Sequence, residues 1–323
     1  MLRKPTISIV IPVYKSQESL PLLVEALAGQ LPLMADEYEL ILVNDGSPDA
    51  SWQVIQDATQ EYGWVSGIHL MRNYGQHSAL LCGIRAARYE IVITMDDDLQ
   101  HPVGELPKLL AALDEQCDVV YGTPQKQQHG LLRDLASEFT KIALQSAMGA
   151  STARKASALR AFRTELRNAF ATYDSPYVSI DVLLTWATTR FRAVEVLQDE
   201  RRFGHSNYTL RKLIIHAINM ITGFSVWPLQ MTSWIGFGLT FFGVIVFLYV
   251  ILRYLVEGGS VPGFPFLASV IAIFSGAQLF ALGMIGEYLA RMHFRLMKRP
   301  AYTVRMHILP SKEEAHGDRS LSA

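Results

Sequence analysis

The run EIVITMDDDLQHP, residues 90–102, begins as an apolar, β-branched strand and ends in three consecutive carboxylates. Like charges side by side repel and Asp is depleted in strands, so three aspartates gathered at one strand end call for an explanation. Strand-like runs also occur at 6–14, 38–45, 65–71 and 117–123. Helix-like segments at 16–30, 50–62, 75–87 and 103–116 lie between them. Such alternation predicts βαβ units: an α/β fold with a mostly parallel sheet covered by helices on both faces. Ligands of these sheets bind beyond the carboxyl ends of the strands. The first four runs end in Pro12-Val13-Tyr14, Asn44-Asp45-Gly46-Ser47, Arg72-Asn73 and Asp96-Asp97-Asp98, so a site is expected on that edge.

Outward from this domain the composition changes. The 323 residues are half hydrophobic, and only 18% are charged. That excess collects between 226 and 290, which is almost free of charge. Two apolar stretches there, 231–256 and 264–292, each exceed the ~20 residues a helix needs to cross a bilayer core. Trp227, Trp234 and Tyr254 suit the interfaces. The connection EGGSVPGFP has no Lys or Arg. Arg201, Arg202, Arg211 and Lys212 precede the pair, and Arg291, Arg295, Lys298 and Arg299 follow it, outnumbering Arg253 at the far end. By the positive-inside rule both flanks and the N-terminal domain are cytoplasmic. Between domain and spans, Leu213, Ile214, Ala217, Ile218, Ile221 and Phe224 follow helical spacing, as in a helix lying in the membrane interface. The expected organisation is a catalytic domain at 1–205, an interfacial region at 206–228, two membrane helices at 229–292 and a cytoplasmic tail at 293–323. Residues 130–190 are expected to be largely helical, and 192–200 to form another strand. Glu287 and Arg291 are spaced to pair on a helix. Cys82 and Cys117 have no metal-ligand spacing and read as buried thiols. The N-terminus reads as a first strand rather than a signal peptide.

Alternation along a strand points Asp96 and Asp98 one way and Asp97 the other. Two carboxylates so spaced, with Gln100 one step on, offer oxygen-only ligands suited to Mg²⁺ or Mn²⁺. Taken alone, the segment reads equally well as a solvated acidic turn before a helix. Beside the other strand ends, the site reading gains. Asp45 could hydrogen-bond a base or ribose, or serve as a turn residue, and both roles can hold.

Taken in order and spacing, VIPVYKSQESL, VNDGSPD, RNYGQHSAL and MDDDLQHP resemble the family 2 glycosyltransferases of the GT-A fold, in their polyprenyl-phosphate branch. ERRFGHSNYTLRKLI and the apolar pair extend the resemblance over nearly the whole chain. It implies inverting transfer of a sugar from a nucleotide-diphosphate sugar, a UDP-sugar for preference, to undecaprenyl or another polyprenyl phosphate in the bacterial inner membrane. Pro12, Val13, Tyr14, Asp45, Arg72 and Asp97 would hold the nucleotide. Asp96, Asp98 and Gln100 would hold the metal, Mg²⁺ or Mn²⁺, and the diphosphate. Arg133, Ser137, Arg160, Arg201 and Ser206 would handle the acceptor phosphate, with Asp96, Asp98 and Arg160 carrying the catalysis. Contact with membrane lipids and a homo-oligomer, a tetramer in relatives, are further implications; no nucleic-acid partner is expected. Three features depart from the family pattern: Tyr14-Lys15-Ser16 where Tyr-Asn-Glu is common, Ala158-Leu159 before Arg160 in place of an acidic-aromatic pair, and the segment 124–130 in place of a basic loop.

Residue chemistry agrees with a phosphate acceptor. A phosphate monoester has its second pKa near about 6 and is largely dianionic at neutral pH, so it needs no strong general base. None is evident after Arg160. The competing readings are a glycolipid or polysaccharide synthase with a hydroxyl acceptor, and a membrane-anchored nucleotide-sugar binder without activity. Polymer synthases of this fold carry Gln-x-x-Arg-Trp, and no Arg-Trp pair occurs here.

Overall fold

The computed structural model describes residues 4–124, 156–199, 226–257 and 263–310. The strands in chain order are β1 (Thr6–Val13), β2 (Glu37–Asn44), β3 (Val65–Leu70), β4 (Ile91–Thr94), β5 (Val119–Pro124), β6 (Arg160–Arg163), β7 (Phe191–Val196) and β8 (Val304–Ile308). The helices are α1 (Leu20–Met34), α2 (Ser51–Glu61), α3 (Gln76–Ala86), α4 (Leu106–Ala112), α5 (Ile180–Ala187), α6 (Trp227–Glu257) and α7 (Phe264–Leu296). The described strands form one sheet in the order β7-β5-β6-β4-β1-β2-β3-β8. Strands β4, β1, β2 and β3 are mutually parallel. β6 runs antiparallel to β4 and β5, and β8 antiparallel to β3.

Apolar residues on both strand faces explain the three layers. Ile7, Ile9, Ile11, Leu40 and Leu42 face α1, α2 and α4. Val10, Ile41, Val43 and Val92, one register step away, face α3 and α5. Strands buried on both faces read as continuous apolar runs, as 6–13 and 37–44 do. Helix α3 approaches the sheet closely because Gly83 lies over Val10 and Val43, leaving no space for a side chain. This seats the N-terminus of α3 at the carboxyl ends of the strands. Both Cys82 and Cys117 are buried free thiols, and burial pushes the Cys82 thiol up to about 12.

Three expectations are corrected. The strand expected over 90–98 stops at Thr94, so the three aspartates sit in the bend after it, where alternation no longer applies. Within 130–190, residues 160–163 form β6, inserted between β4 and β5, rather than helix. The segment after the apolar helices is not simply a tail: β8 pairs with the edge strand β3, residue Gly67 opposite Ile308 and Leu70 opposite Val304. The interfacial region expected at 206–228 lies almost wholly outside the described residues.

Helices α6 and α7 are long and apolar enough to cross a membrane. They pack on each other, and side chains such as Phe237, Phe247, Leu255 and Leu282 point outward, unburied by protein. Near the end of α7, Arg291 pairs with Glu287 at 2.8 Å, the expected one-turn pair. The Arg291 guanidinium also stacks over Tyr177, at 4.5 Å from the ring centre, which docks the helix base on the α/β domain.

Candidate active site

The chain runs β1, β2, β3 outward on one side of β1, then returns to β4 on the other. The crevice between β1 and β4 is therefore the topological switch point, where ligands of open α/β sheets bind. Side chains from four strand ends meet there. The Asp97 carboxylate accepts hydrogen bonds from the Ser16 hydroxyl and, at 3.3 Å, from the Tyr14 amide, tying the end of β4 to the end of β1. The Lys15 amide donates to Ser47 Oγ at 2.7 Å and the Ser16 amide to Ser51 Oγ at 2.9 Å, tying β1 to β2. Asp45 accepts from the Tyr74 and Gly75 amides at 2.7 and 2.8 Å, tying β2 to the turn after β3. Gln76, at the start of α3, donates to Asp96 at 2.6 Å. Tyr14, Asp45, Asp96 and Asp97 thus line one edge, and the chain after β3 adds the backbone amides of Tyr74 and Gly75.

Two turns of this edge hold bulky residues in the left-handed region, Lys15 and Leu99, both at φ 59°. Such a conformation costs about 1–2 kcal/mol per non-glycine residue and tends to gather at functional sites. Leu99 separates Asp98 from Gln100, and the Asp98 carboxylate accepts the Gln100 amide at 3.1 Å. Burial raises the Asp45 carboxyl above the usual range, against the opposing pull of its two amide donors. Burial also pushes Asp97 up to about 6, with the Asp98 charge adding to it and the Ser16 and Tyr14 hydrogen bonds opposing it. Pro12 and Val13 are buried in β1, whereas Tyr14 is exposed at the rim. Arg72 stacks on Tyr74 at 4.5 Å from the ring centre.

Arg160 departs from expectation. It is 2% exposed, and its Nη1 donates to Asp181 at 2.6 Å. Asp181 also accepts the Tyr121 hydroxyl at 3.0 Å. The reason is register: Arg160 pairs with Thr94 and Tyr121, and shares a sheet face with Phe162, so its side chain enters the layer beneath α5. In this arrangement its charge is spent on Asp181 and not presented to an acceptor. Arg133, Ser137, Arg201 and Ser206 lie outside the described residues. Sequence reasoning assigned no role to Ser16, Ser47, Gln76 or Asp181. The first three stand inside quoted motifs, but Asp181 sits in the apolar run IDVLLTWA with no local signal.

Among the described residues, no group of three or more His, Cys, Asp or Glu side chains is placed to hold a metal ion by itself. Asp96, Asp98 and Gln100, in the chain just after β4, carry two carboxylates and an amide oxygen. That donor set fits a hard cation whose remaining positions are filled by water and substrate phosphate, as is usual for Mg²⁺.

Residues 8–170 match glycosyl transferase family 2. An undecaprenyl-phosphate 4-deoxy-4-formamido-L-arabinose transferase of Yersinia enterocolitica is 35% identical over 301 residues, covering 92% of each chain. The chain belongs to glycosyl transferase family 2. A second such transferase, from Serratia proteamaculans, is 36% identical over the same length and coverage. The glucosyl-3-phosphoglycerate synthase of Mycobacterium tuberculosis, solved with Mn²⁺, uridine-diphosphate and phosphoglyceric acid, aligns with a TM-score of 0.50 at 18% identity. It covers 68% of this chain and 76% of that one, a likeness of fold alone. As a family 2 glycosyltransferase, the protein has a GT-A-like α/β domain with a mostly parallel sheet, and its switch point lies between β1 and β4. The helix pair α6–α7 lies C-terminal to the residues that match the family.

Proposed function

We propose that the protein transfers a sugar, with inversion, from a nucleotide-diphosphate sugar to undecaprenyl or a related polyprenyl phosphate at the cytoplasmic face of a membrane. The observation that carries this is the convergence of Asp45, Asp97, Asp96 and Asp98 on one crevice, in a chain that also has two membrane-length helices. The curated relatives, alike over 92% of the chain, carry an undecaprenyl-phosphate acceptor in their names, which supports the acceptor class. The positive flanks support the cytoplasmic orientation.

On this reading the nucleotide lies over Pro12–Tyr14 and Asp45, with Asp97 fixing the β1 turn that receives it. Asp96, Asp98 and Gln100 would hold Mg²⁺ or Mn²⁺, whose positive charge would stabilise a departing diphosphate. An acceptor phosphate oxygen attacks the anomeric carbon from the face opposite the leaving group. The bond from that carbon to the diphosphate oxygen breaks, and the nucleoside diphosphate leaves with the electron pair. The acceptor is already anionic, so the protein has no proton to remove. Arg133, Ser137, Arg201 and Ser206 are proposed to hold the acceptor phosphate, since Arg matches phosphate geometry. Arg160 acts as half of a buried pair with Asp181. Membrane lipids surround α6 and α7, and an oligomer is proposed from the resemblance alone.

The test is transfer of label. Membranes containing the protein are incubated with labelled UDP-sugars, undecaprenyl phosphate and Mg²⁺ or Mn²⁺, then extracted with organic solvent. Label in the lipid extract that EDTA abolishes is expected. Asp98→Asn should lower transfer by at least about a hundredfold, the scale on which one group stabilising developing charge matters. Label retained in polymer or on diacylglycerol would assign a hydroxyl acceptor, and full activity of Asp98→Asn would remove the cation from the reaction.

A further inference from the structure

We propose that residues 301–303, which lead into β8, are a positioning segment of the donor site that holds the 71–75 turn against Asp45 and Gly46. This rests on the reading of Asp45 as a donor-binding side chain. The chain of contacts is short. Asp45 is held by the amides of Tyr74 and Gly75. Gly46, next to it, touches the backbone of Arg72 and Asn73 so closely that a Cβ would lie 2.5 Å from Arg72 C and 2.6 Å from Asn73 N. The whole nucleotide-side turn of β2 therefore leans on residues 71–75.

Those residues are in turn held from the far side by the segment that leaves the second apolar helix. The Met71 amide donates to the Thr303 carbonyl at 2.9 Å. Ala301 is 3% exposed, and its amide donates to Asp174 at 3.3 Å. Arg85 donates to the Tyr302 hydroxyl at 3.4 Å and to the Tyr173 carbonyl at 2.6 Å. Residues 301–303 are thus wedged between α3, the 170–174 turn and the end of β3, and β8 continues the sheet beyond them. Thr303 follows the end of α7 at Leu296 by one short turn. The membrane helix and the donor turn are therefore joined through a few hydrogen-bonded residues, none of which need touch the nucleotide.

The experiment uses the full-length protein in detergent with UDP and Mg²⁺ as the probe. Asp174→Ala and Tyr302→Phe each remove one hydrogen bond that holds this segment and should weaken UDP binding by about 2–10-fold, the range of one hydrogen bond. The double variant should bind more weakly than either single one, and Asp174→Asn, which keeps an acceptor oxygen for the Ala301 amide, should bind like wild type. Donor KM should rise in both single variants while the acceptor KM holds. Asp174 is exposed, so Asp174→Ala keeps the fold if Tyr302→Phe does not, and thermal melts identify that case. Wild-type UDP affinity in Asp174→Ala and in folded Tyr302→Phe, with Asp45→Ala losing UDP, overturns the positioning role of residues 301–303. Undiminished UDP binding in Asp45→Ala overturns the donor-site reading itself, and the proposal with it.

Discussion

Replacing Gly46 by alanine tests the donor turn most directly. Gly46 has φ +61°, and its Cβ would meet Arg72 C at 2.5 Å, Asn73 N at 2.6 Å and Arg72 Cα at 2.9 Å, all backbone atoms. Holding alanine in the left-handed region costs about 1–2 kcal/mol. Displacing packed neighbours adds about 1–3 kcal/mol, since backbone cannot rotate away as a side chain can. The sum is about 2–5 kcal/mol. At roughly 2–4 °C per kcal/mol for a domain of this size, the apparent Tm should fall by roughly 4–20 °C. The same shift moves the amides of Tyr74 and Gly75 from Asp45, so UDP affinity measured by calorimetry should fall at least about tenfold, the loss of one charged hydrogen bond. Gly104→Ala is the control: no atom lies within 4 Å of its Cβ, and the change should stay within about 0.5 kcal/mol. Gly46→Asn separates the two causes, because Asn tolerates the left-handed region yet carries the same Cβ. It should be nearly as damaging as alanine. A Gly46→Ala protein that melts and binds UDP like wild type would refute the reasoning.

Removing Arg160 alone strands the buried Asp181, so Arg160→Ala should cost about 3–5 kcal/mol of stability, whereas Arg160→Met with Asp181→Leu and Tyr121→Phe, which leaves no polar group of the cluster unpaired, should recover most of it. Denaturant titration reads this, and a fully stable Arg160→Ala protein would argue that the guanidinium works in the crevice instead. Asp118 bonds Arg190 at 2.6 and 2.8 Å and Thr188 at 2.5 Å. Burial acts to raise its carboxyl, but these partners outweigh burial and hold it below the usual range. Its folded pKa is thus below the unfolded value of about 4, so its contribution is complete at neutral pH and disappears as pH falls through the folded pKa. The Tm gap between wild type and Asp118→Asn should therefore be present at neutral pH and close in acid; an unchanged gap would contradict the assignment.

Much of the domain was legible because its signals are local. β1, β2 and β3 are apolar runs of six to eight residues bounded by polar turns, and their observed limits fall within one residue of those read. Two stretches of more than twenty apolar residues need no partner to be read as membrane-length helices. β6 and β8 were not legible. They are four and five residues long, run opposite to their neighbours, and exist only because an unpaired strand lies beside them. The site divided in the same way. Asp45 and Asp96–Asp98 announce themselves by ending apolar runs, but Ser16 meets Asp97 across 81 residues of chain, a partnership that no spacing encodes.

The order of residues alone therefore fixed which strands exist, which of their ends are polar, and which helices are too apolar for water, since each follows from neighbours a few positions apart. Side-chain direction and cross-chain partnership were decided by folding. Only sheet register turned Arg160 inward to Asp181, and only an open sheet edge drew residues 301–308 back from the end of α7 to brace the turn that holds Asp45. The difference is physical: periodicity is a property of the chain, whereas register and edge pairing arise only when distant segments compete for the same unpaired backbone groups.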